Sequence, residues 1–197
     1  MGSIRETSPR PDARHAPLRL PALGARLYAD PGCRVFAVLD GARVPRLLRT
    51  ADSLGATPHC LFAGQLEPSL QRVAPYLVEL DPVGDFSAWL LDSGFGRSWG
   101  IFVRTRHEAP ALRKHLRRFL MVSGPDGKSL YFRYYDPRVM RLYLPTCNQD
   151  EMAQVFADVV DCFAMESEDG HALLEFSRGE LEPLTASFPV HERGAAH

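Results

Sequence analysis

The sequence predicts an α/β fold of mixed type, a mixed β-sheet covered by helices, on three observations. Short apolar runs alternate with stretches of helical spacing through the N-terminal part. Glycine-centred turns separate paired apolar runs through the C-terminal part. A composition of 45% hydrophobic and 24% charged residues is that of a globular domain with a real core. The 197 residues suffice for one substantial domain, with or without a smaller lobe.

The first thirty-two residues carry Pro9, Pro11, Pro17 and Pro21 among several arginines. Proline at that density breaks helical and strand periodicity, so residues 1–32 read as an N-terminal arm or tail. Organised structure starts at Cys33. The run CRVFAVLD ends at Asp40-Gly41 and reads as a strand; VPRLLRTADSLG has helical spacing and closes on Gly55. The alternation continues with TPHCLF as strand, EPSLQRVA as a short helix, YLVELD as strand, DFSAWLLDSG as helix and WGIFVRT as strand. APALRKHLRRFL is then a helix with an inner stripe of Leu112, His115 or Leu116, Phe119 and Leu120. Residues 33–120 thus form an α/β lobe.

Residues 121–182 change character and read as a smaller lobe of hairpins and short helices. FLMVSGPDGKSLYFRYYD is a pair of runs around Gly124-Pro125-Asp126-Gly127, a hairpin signal. Asp136 is placed to cap a helix that Pro137 begins. NQDEMAQVFADVV is a further helix, and CFAMESEDGHALLEFSRG a closing hairpin turning at Asp169-Gly170. Residues 183–197 read as a frayed, flexible tail.

Composition and motif spacing exclude several function classes. A net charge of −1 leaves no global footprint for nucleic acid or an acidic membrane. No apolar run approaches the roughly 20 residues of a membrane span, and the N-terminus lacks a secretory signal, so a cytoplasmic protein without membrane insertion is expected. Cys33, Cys60, Cys147 and Cys162 are scattered and read as reduced, mostly buried thiols. The seven histidines show no metal-ligand spacing, and no cofactor loop is present: GPDGK is too short for a phosphate loop. GRSWG (Gly96 to Gly100) matches the G-x-S-x-G pattern of a hydrolase, but a helix precedes Ser98 and a strand follows, the reverse of a nucleophile elbow. Asp40 ends the first strand, where open sheets often keep ligand residues, yet no glycine-rich loop adjoins it.

Two charged groups remain. Arg113, Lys114, Arg117 and Arg118 lie opposite the apolar stripe of their helix, as a solvated face or a patch for docking a partner. In SLYFRYYD, read as one strand, Tyr131, Arg133 and Tyr135 share a face and Leu130, Phe132 and Tyr134 the other. Arg133 or Arg138 then lies near enough to pair with Asp136, either as a clamp at the strand-to-helix corner or as a surface aimed at a partner.

FAVLDGARVPRLL, APYLVELDP, FSAWLLDSGFGRSWGIFVRT, LRKHLRRFLMV and above all LYFRYYDPRVMRLYLPTC closely resemble the Tap or TEC (type VI effector chaperone) family of bacterial type VI secretion, a domain first filed as of unknown function. The resemblance runs from about Phe36 to about Phe176, with the motifs in the same order. It implies a non-enzymatic adaptor that holds a toxic effector and helps load it onto the secretion spike, at the spike trimer's C-terminal region or its repeat-containing tip. The family supplies no catalytic residues. Arg117, Arg118, Tyr131, Arg133, Tyr135, Asp136 and Arg138 are the candidate partner-binding residues. A hydrolase using Ser98 and a nucleic-acid accessory using the Arg113–Arg118 helix are the competing expectations.

Overall fold

The computed structural model describes residues 19–124, 127–180 and 182–187. In chain order they form α1 (Arg19–Leu27), β1 (Arg34–Asp40), α2 (Leu47–Ser53), β2 (His59–Cys60), α3 (Pro68–Gln71), β3 (Pro75–Leu80), α4 (Asp85–Gly94) and β4 (Gly100–Thr105). There follow α5 (Ala109–Arg117), β5 (Met121–Ser123), β6 (Ser129–Tyr131), α6 (Pro137–Tyr143), a 3₁₀ turn (Leu144–Thr146), α7 (Gln149–Phe156), β7 (Cys162–Glu166), β8 (Ala172–Ser177) and β9 (Leu184–Ser187). Seven strands make one sheet in the order β2-β3-β1-β4-β7-β8-β9, and β5 with β6 make a separate two-stranded ribbon. The class is α/β, as expected. Every pairing is antiparallel, although helices connect the first strands.

Side-chain alternation along the strands divides the core into two layers. Val35, Ala37 and Leu39 of β1 join Tyr76 and Val78 of β3 on one face, under Leu23 and Leu27 of α1, Leu47 of α2, and Phe86 and Leu90 of α4. Phe36 and Val38 join Ile101, Val103 and Phe163 on the other, under Leu112 and Leu116 of α5, Met140 of α6, and Val155 and Phe156 of α7. Both faces are covered, which is why β1 is an unbroken apolar run rather than a polar-apolar alternation. Strand β7 pairs with β4, so the sheet runs on from residues of the first stretch into those of the second.

Four local expectations are corrected. Residues 19–27 form a helix rather than an extended arm: Pro21 falls in the first turn, where a missing N–H costs little, and Leu23 and Leu27, one turn apart, are fully buried. Glu175, buried in β8, pairs with Arg26 of α1 and with Arg104 of β4 at 2.7 Å, pinning that helix to the sheet. Helix α2 starts at Leu47, because Arg46 is left-handed (φ 54°) after Pro45. The tail holds β9, which pairs with β8 from Ala172↔Ser187 to Glu175↔Leu184. The strand read over SLYFRYYD stops at Tyr131, as described below. Residues 1–18 of the arm, Pro125-Asp126 of the turn and residues 188–197 of the tail lie outside the described residues.

The hairpin between β7 and β8 is built as the sequence predicts, with Gly170 at φ 69° in the turn. Among the described residues no helix is long and apolar enough to cross a membrane. No group of three or more His, Cys, Asp or Glu there is placed to hold a metal ion.

Candidate partner-binding surface

Asp40 begins the site. It is the last residue of β1, 1% exposed, and its Oδ1 accepts the Ala42 N–H. The chain must then turn hard against the loop before β3. A Cβ on Gly41 would sit 2.4 Å from the Ala74 carbonyl oxygen, so only glycine fits beside the carboxylate. Arg133 Nη2 donates to Asp40 Oδ2 at 2.5 Å, with Arg43 Nε at 3.8 Å from the same oxygen. The Arg133 guanidinium also stands 5.7 Å from the Tyr135 ring centroid, within cation–π range.

Asp136 caps α6. Its Oδ1 accepts both the Arg138 N–H (3.1 Å) and Arg138 Nε (2.9 Å), while Oδ2 accepts Nη2 at 2.6 Å, a bidentate fork. Burial pushes this carboxyl up, but the Arg138 guanidinium and N–H outweigh burial and hold it below the usual carboxylate range. Sequence pairing of Asp136 with Arg138 is therefore found, whereas Arg133 takes Asp40, a residue ninety-three positions away.

The face assignment for SLYFRYYD is corrected here. After Tyr131 the chain leaves the ribbon and turns, so Tyr134 and Tyr135 are both buried instead of alternating. Tyr134 packs edge-on against Phe119 and Tyr135. The Tyr135 hydroxyl lies 3.2 Å from that of Tyr131. Two aromatic side chains in succession can both reach the core because a turn, unlike a strand, does not alternate its Cβ directions. Of the candidate binding residues, Tyr135 and Asp136 are buried and hold the corner, whereas Arg118, Tyr131, Arg133 and Arg138 are exposed and Arg117 half-buried.

The ribbon of β5 and β6 shows the inverse arrangement. Met121 (53%), Val122, Leu130 (49%) and Tyr131 are all exposed. Directly opposed pairs share a face, so Met121↔Tyr131 expose one apolar face and Val122↔Leu130 the other. Tyr131 touches the body of the protein edge-on at Phe62. The chain then enters a shallow groove of about 560 Å³ lined by Phe132, Asp136, Arg138, Val139, Leu142 and Tyr143, where Leu142 is 75% exposed. The end of α5 stands just before β5: Arg117 and Arg118 make no ion pair with another described residue, while Arg113 Nε donates to the Cys60 carbonyl. Sequence reading missed the exposure of Met121, Val122 and Leu142. The signal was available in LRRFLMVS, whose apolar run FLMV is too short for both a helix end and a buried strand.

His115, left undecided by the helical stripe, is buried along with Leu116. Its Nε2–H donates to the Val155 carbonyl at 2.8 Å, and burial, with Arg118 adding to it, lowers its pKa despite that bond. Ser98 stands between α4 and β4, as expected. Its N–H (2.8 Å) and Oγ–H (3.0 Å) both donate to Glu166 Oε1, and the Gly96 N–H donates to Oε2 at 2.7 Å, so the buried Glu166 carboxylate binds the GRSWG turn. The four cysteines are free; burial, and a bond to Asp30, push the Cys33 thiol up to about 11, and burial also raises Cys147 and Cys162.

Fold and site together define a helix-covered antiparallel α/β protein whose buried charged corner carries an exposed apolar ribbon. The chain belongs to the family described as a domain of unknown function (DUF4123), whose model matches residues 35–154. That span runs from β1 through most of α7 and includes the whole corner and ribbon. No curated protein and no solved structure matches the chain.

Proposed function

We propose that this protein is a non-enzymatic cytoplasmic adaptor that holds a toxic effector of bacterial type VI secretion and assists its loading onto the secretion spike. The observation that carries the reading is the exposed apolar surface of Met121, Val122, Leu130, Tyr131 and Leu142, which falls within the segment whose motifs resemble the effector chaperones. An adaptor must hold its cargo and still release it. Apolar area holds a complex while charge steers the encounter, and here Arg117 and Arg118, without an ion pair among the described residues, adjoin the apolar ribbon. The Ser98 hydroxyl, engaged by Glu166, gives the hydrolase alternative no support.

Co-expression with the toxin encoded beside it tests the reading. The pair is expected to co-purify, with the toxin more soluble than when expressed alone. A toxin that stays equally soluble and elutes separately overturns the adaptor function. Ester hydrolysis that disappears in Ser98→Ala would establish an enzyme instead.

A further inference from the structure

The ribbon's backbone carries information beyond its exposed side chains. Phe132 N–H donates to the Leu120 carbonyl and Gly124 N–H to the Lys128 carbonyl. With the register Met121↔Tyr131, Val122↔Leu130 and Ser123↔Ser129, those bonds make Val122↔Leu130 the hydrogen-bonded pair. Met121 and Ser123 on one edge, and Ser129 and Tyr131 on the other, therefore turn their N–H and C=O groups outward. None of these groups bonds to the backbone of another described residue. A two-stranded ribbon is marginal by itself and gains stability from a third strand, and an unpaired edge is a template for one.

The surroundings define the chemistry of that third strand. Both faces beside the edge are apolar, so alternate side chains of an added strand meet apolar neighbours whichever way they point. Residues 109–133 hold six lysines and arginines (Arg113, Lys114, Arg117, Arg118, Lys128, Arg133) against one acid, Asp126, in a chain whose net charge is −1. By sequence the turn, Ser123-Gly124-Pro125-Asp126-Gly127-Lys128, holds an acid and no large apolar side chain, and the described apolar residues lie on the strands before and after it, the reverse of a hairpin that dips an apolar tip into a bilayer. Nucleic acid would require exposed rings for stacking, and the exposed large side chains are mostly aliphatic.

We infer that the β5–β6 ribbon captures an extended protein segment, apolar in its centre and flanked by acidic residues, as an added β-strand on one of its two free edges. This rests on the adaptor reading only for whose segment it is. The added strand exchanges main-chain bonds with Met121 and Ser123 or with Ser129 and Tyr131. Its apolar centre covers Val122 and Leu130 or Met121 and Tyr131, and its acidic flanks meet Arg117 and Arg118.

The test uses the full chain and a fluorescent peptide with a valine–isoleucine centre between glutamate runs. Binding is expected by anisotropy, and to weaken about tenfold or more when the central amides are N-methylated or the glutamates become lysines. Met121→Pro and Ser129→Pro each delete one outward N–H without touching a ladder bond, so one of the two should abolish binding, with circular dichroism verifying the fold. Equal binding of the N-methylated or the lysine peptide overturns the inference, as does full binding by both proline variants. Binding to phosphatidylserine vesicles without peptide binding overturns it in favour of a lipid surface, and failure to bind either probe overturns it outright. Peptide binding with no retention of the toxin would sink the adaptor function alone, whereas toxin retained without peptide binding would sink the ribbon's role alone.

Discussion

Two neighbouring regions distribute polarity in opposite ways. At the corner, Asp40 and Asp136 are buried with arginines folded over them; on the ribbon a few residues earlier, Met121, Val122, Leu130 and Tyr131 stand in solvent. Burying a carboxylate and exposing apolar surface are each unfavourable to folding taken alone. The corner offsets its cost internally: each carboxylate has a guanidinium and a backbone N–H, and Arg133 and Arg138 remain half in water. The ribbon has no such internal compensation among the described residues. Unfolding should respond to the first region, and partner binding to the second.

The largest effect on stability should come from Arg133→Ala, which leaves the buried Asp40 carboxylate with the Ala42 N–H and, as its only charged partner among the described residues, the distant Arg43. A loss of about 3 kcal/mol is expected, the lower end for breaking a buried pair because Arg133 is itself 44% exposed. Urea denaturation measures it. Asp40→Asn should cost clearly less, since its two arginines can turn to solvent. Equal losses in the two variants would mean that the carboxylate is not the group that needs its partner.

Asp136→Ala removes an N-cap and a bidentate partner, for about 1–2 kcal/mol, and lowers the melting temperature by several degrees. Because the Asp136 pKa is held below its ordinary value of 3.8, its contribution is complete above that pH and disappears as pH falls through the lower, folded value. The melting temperatures of parent and variant should therefore converge in strong acid.

A smaller effect is expected from His115. Its pKa is lowered in the folded state, so the unfolded chain binds the proton first, and stability declines as pH drops from the ordinary value of 6.5 toward the folded one. His115→Gln keeps a donor for Val155 and should flatten that slope between pH 7.5 and about pH 5.5. An unchanged slope would assign the pH dependence to another group.

Val122→Ser with Leu130→Ser should change stability little, by about 0.5 kcal/mol or less for each substitution and about 1 kcal/mol or less together, because both side chains are already exposed. The same variant should lose the toxin in co-purification. A large drop in melting temperature would place these residues with the corner instead and erase the contrast between the regions.

Much of this architecture was legible in residues close together in the chain. Alternating strand and helix patterns from β1 to α5, the hairpin turns at Gly127 and Gly170, and Asp136 as cap of α6 all depend on backbone preferences and spacing within a few residues. The helix at Arg19–Leu27 was not legible, because prolines around it obscured a two-leucine stripe whose meaning depends on the sheet beneath it. The break after Tyr131 was hidden likewise: YFRYYD keeps a strand's composition, and only packing against Phe119 and α6 decides that consecutive tyrosines go inward.

By itself, then, the sequence determined the α/β class, the order of most elements, the cap of α6 and the suspicion attached to the aromatic-arginine segment. Only the tertiary structure decided the strand order, the choice of Asp40 over Asp136 as partner of Arg133, the burial of Tyr135 and the exposure of both ribbon faces. The physical reason is range. A turn or a cap is decided by dihedral preferences and hydrogen bonds among neighbours in sequence, whereas an ion pair spanning ninety-three residues, or an apolar face left uncovered, depends on which distant elements the completed sheet brings together.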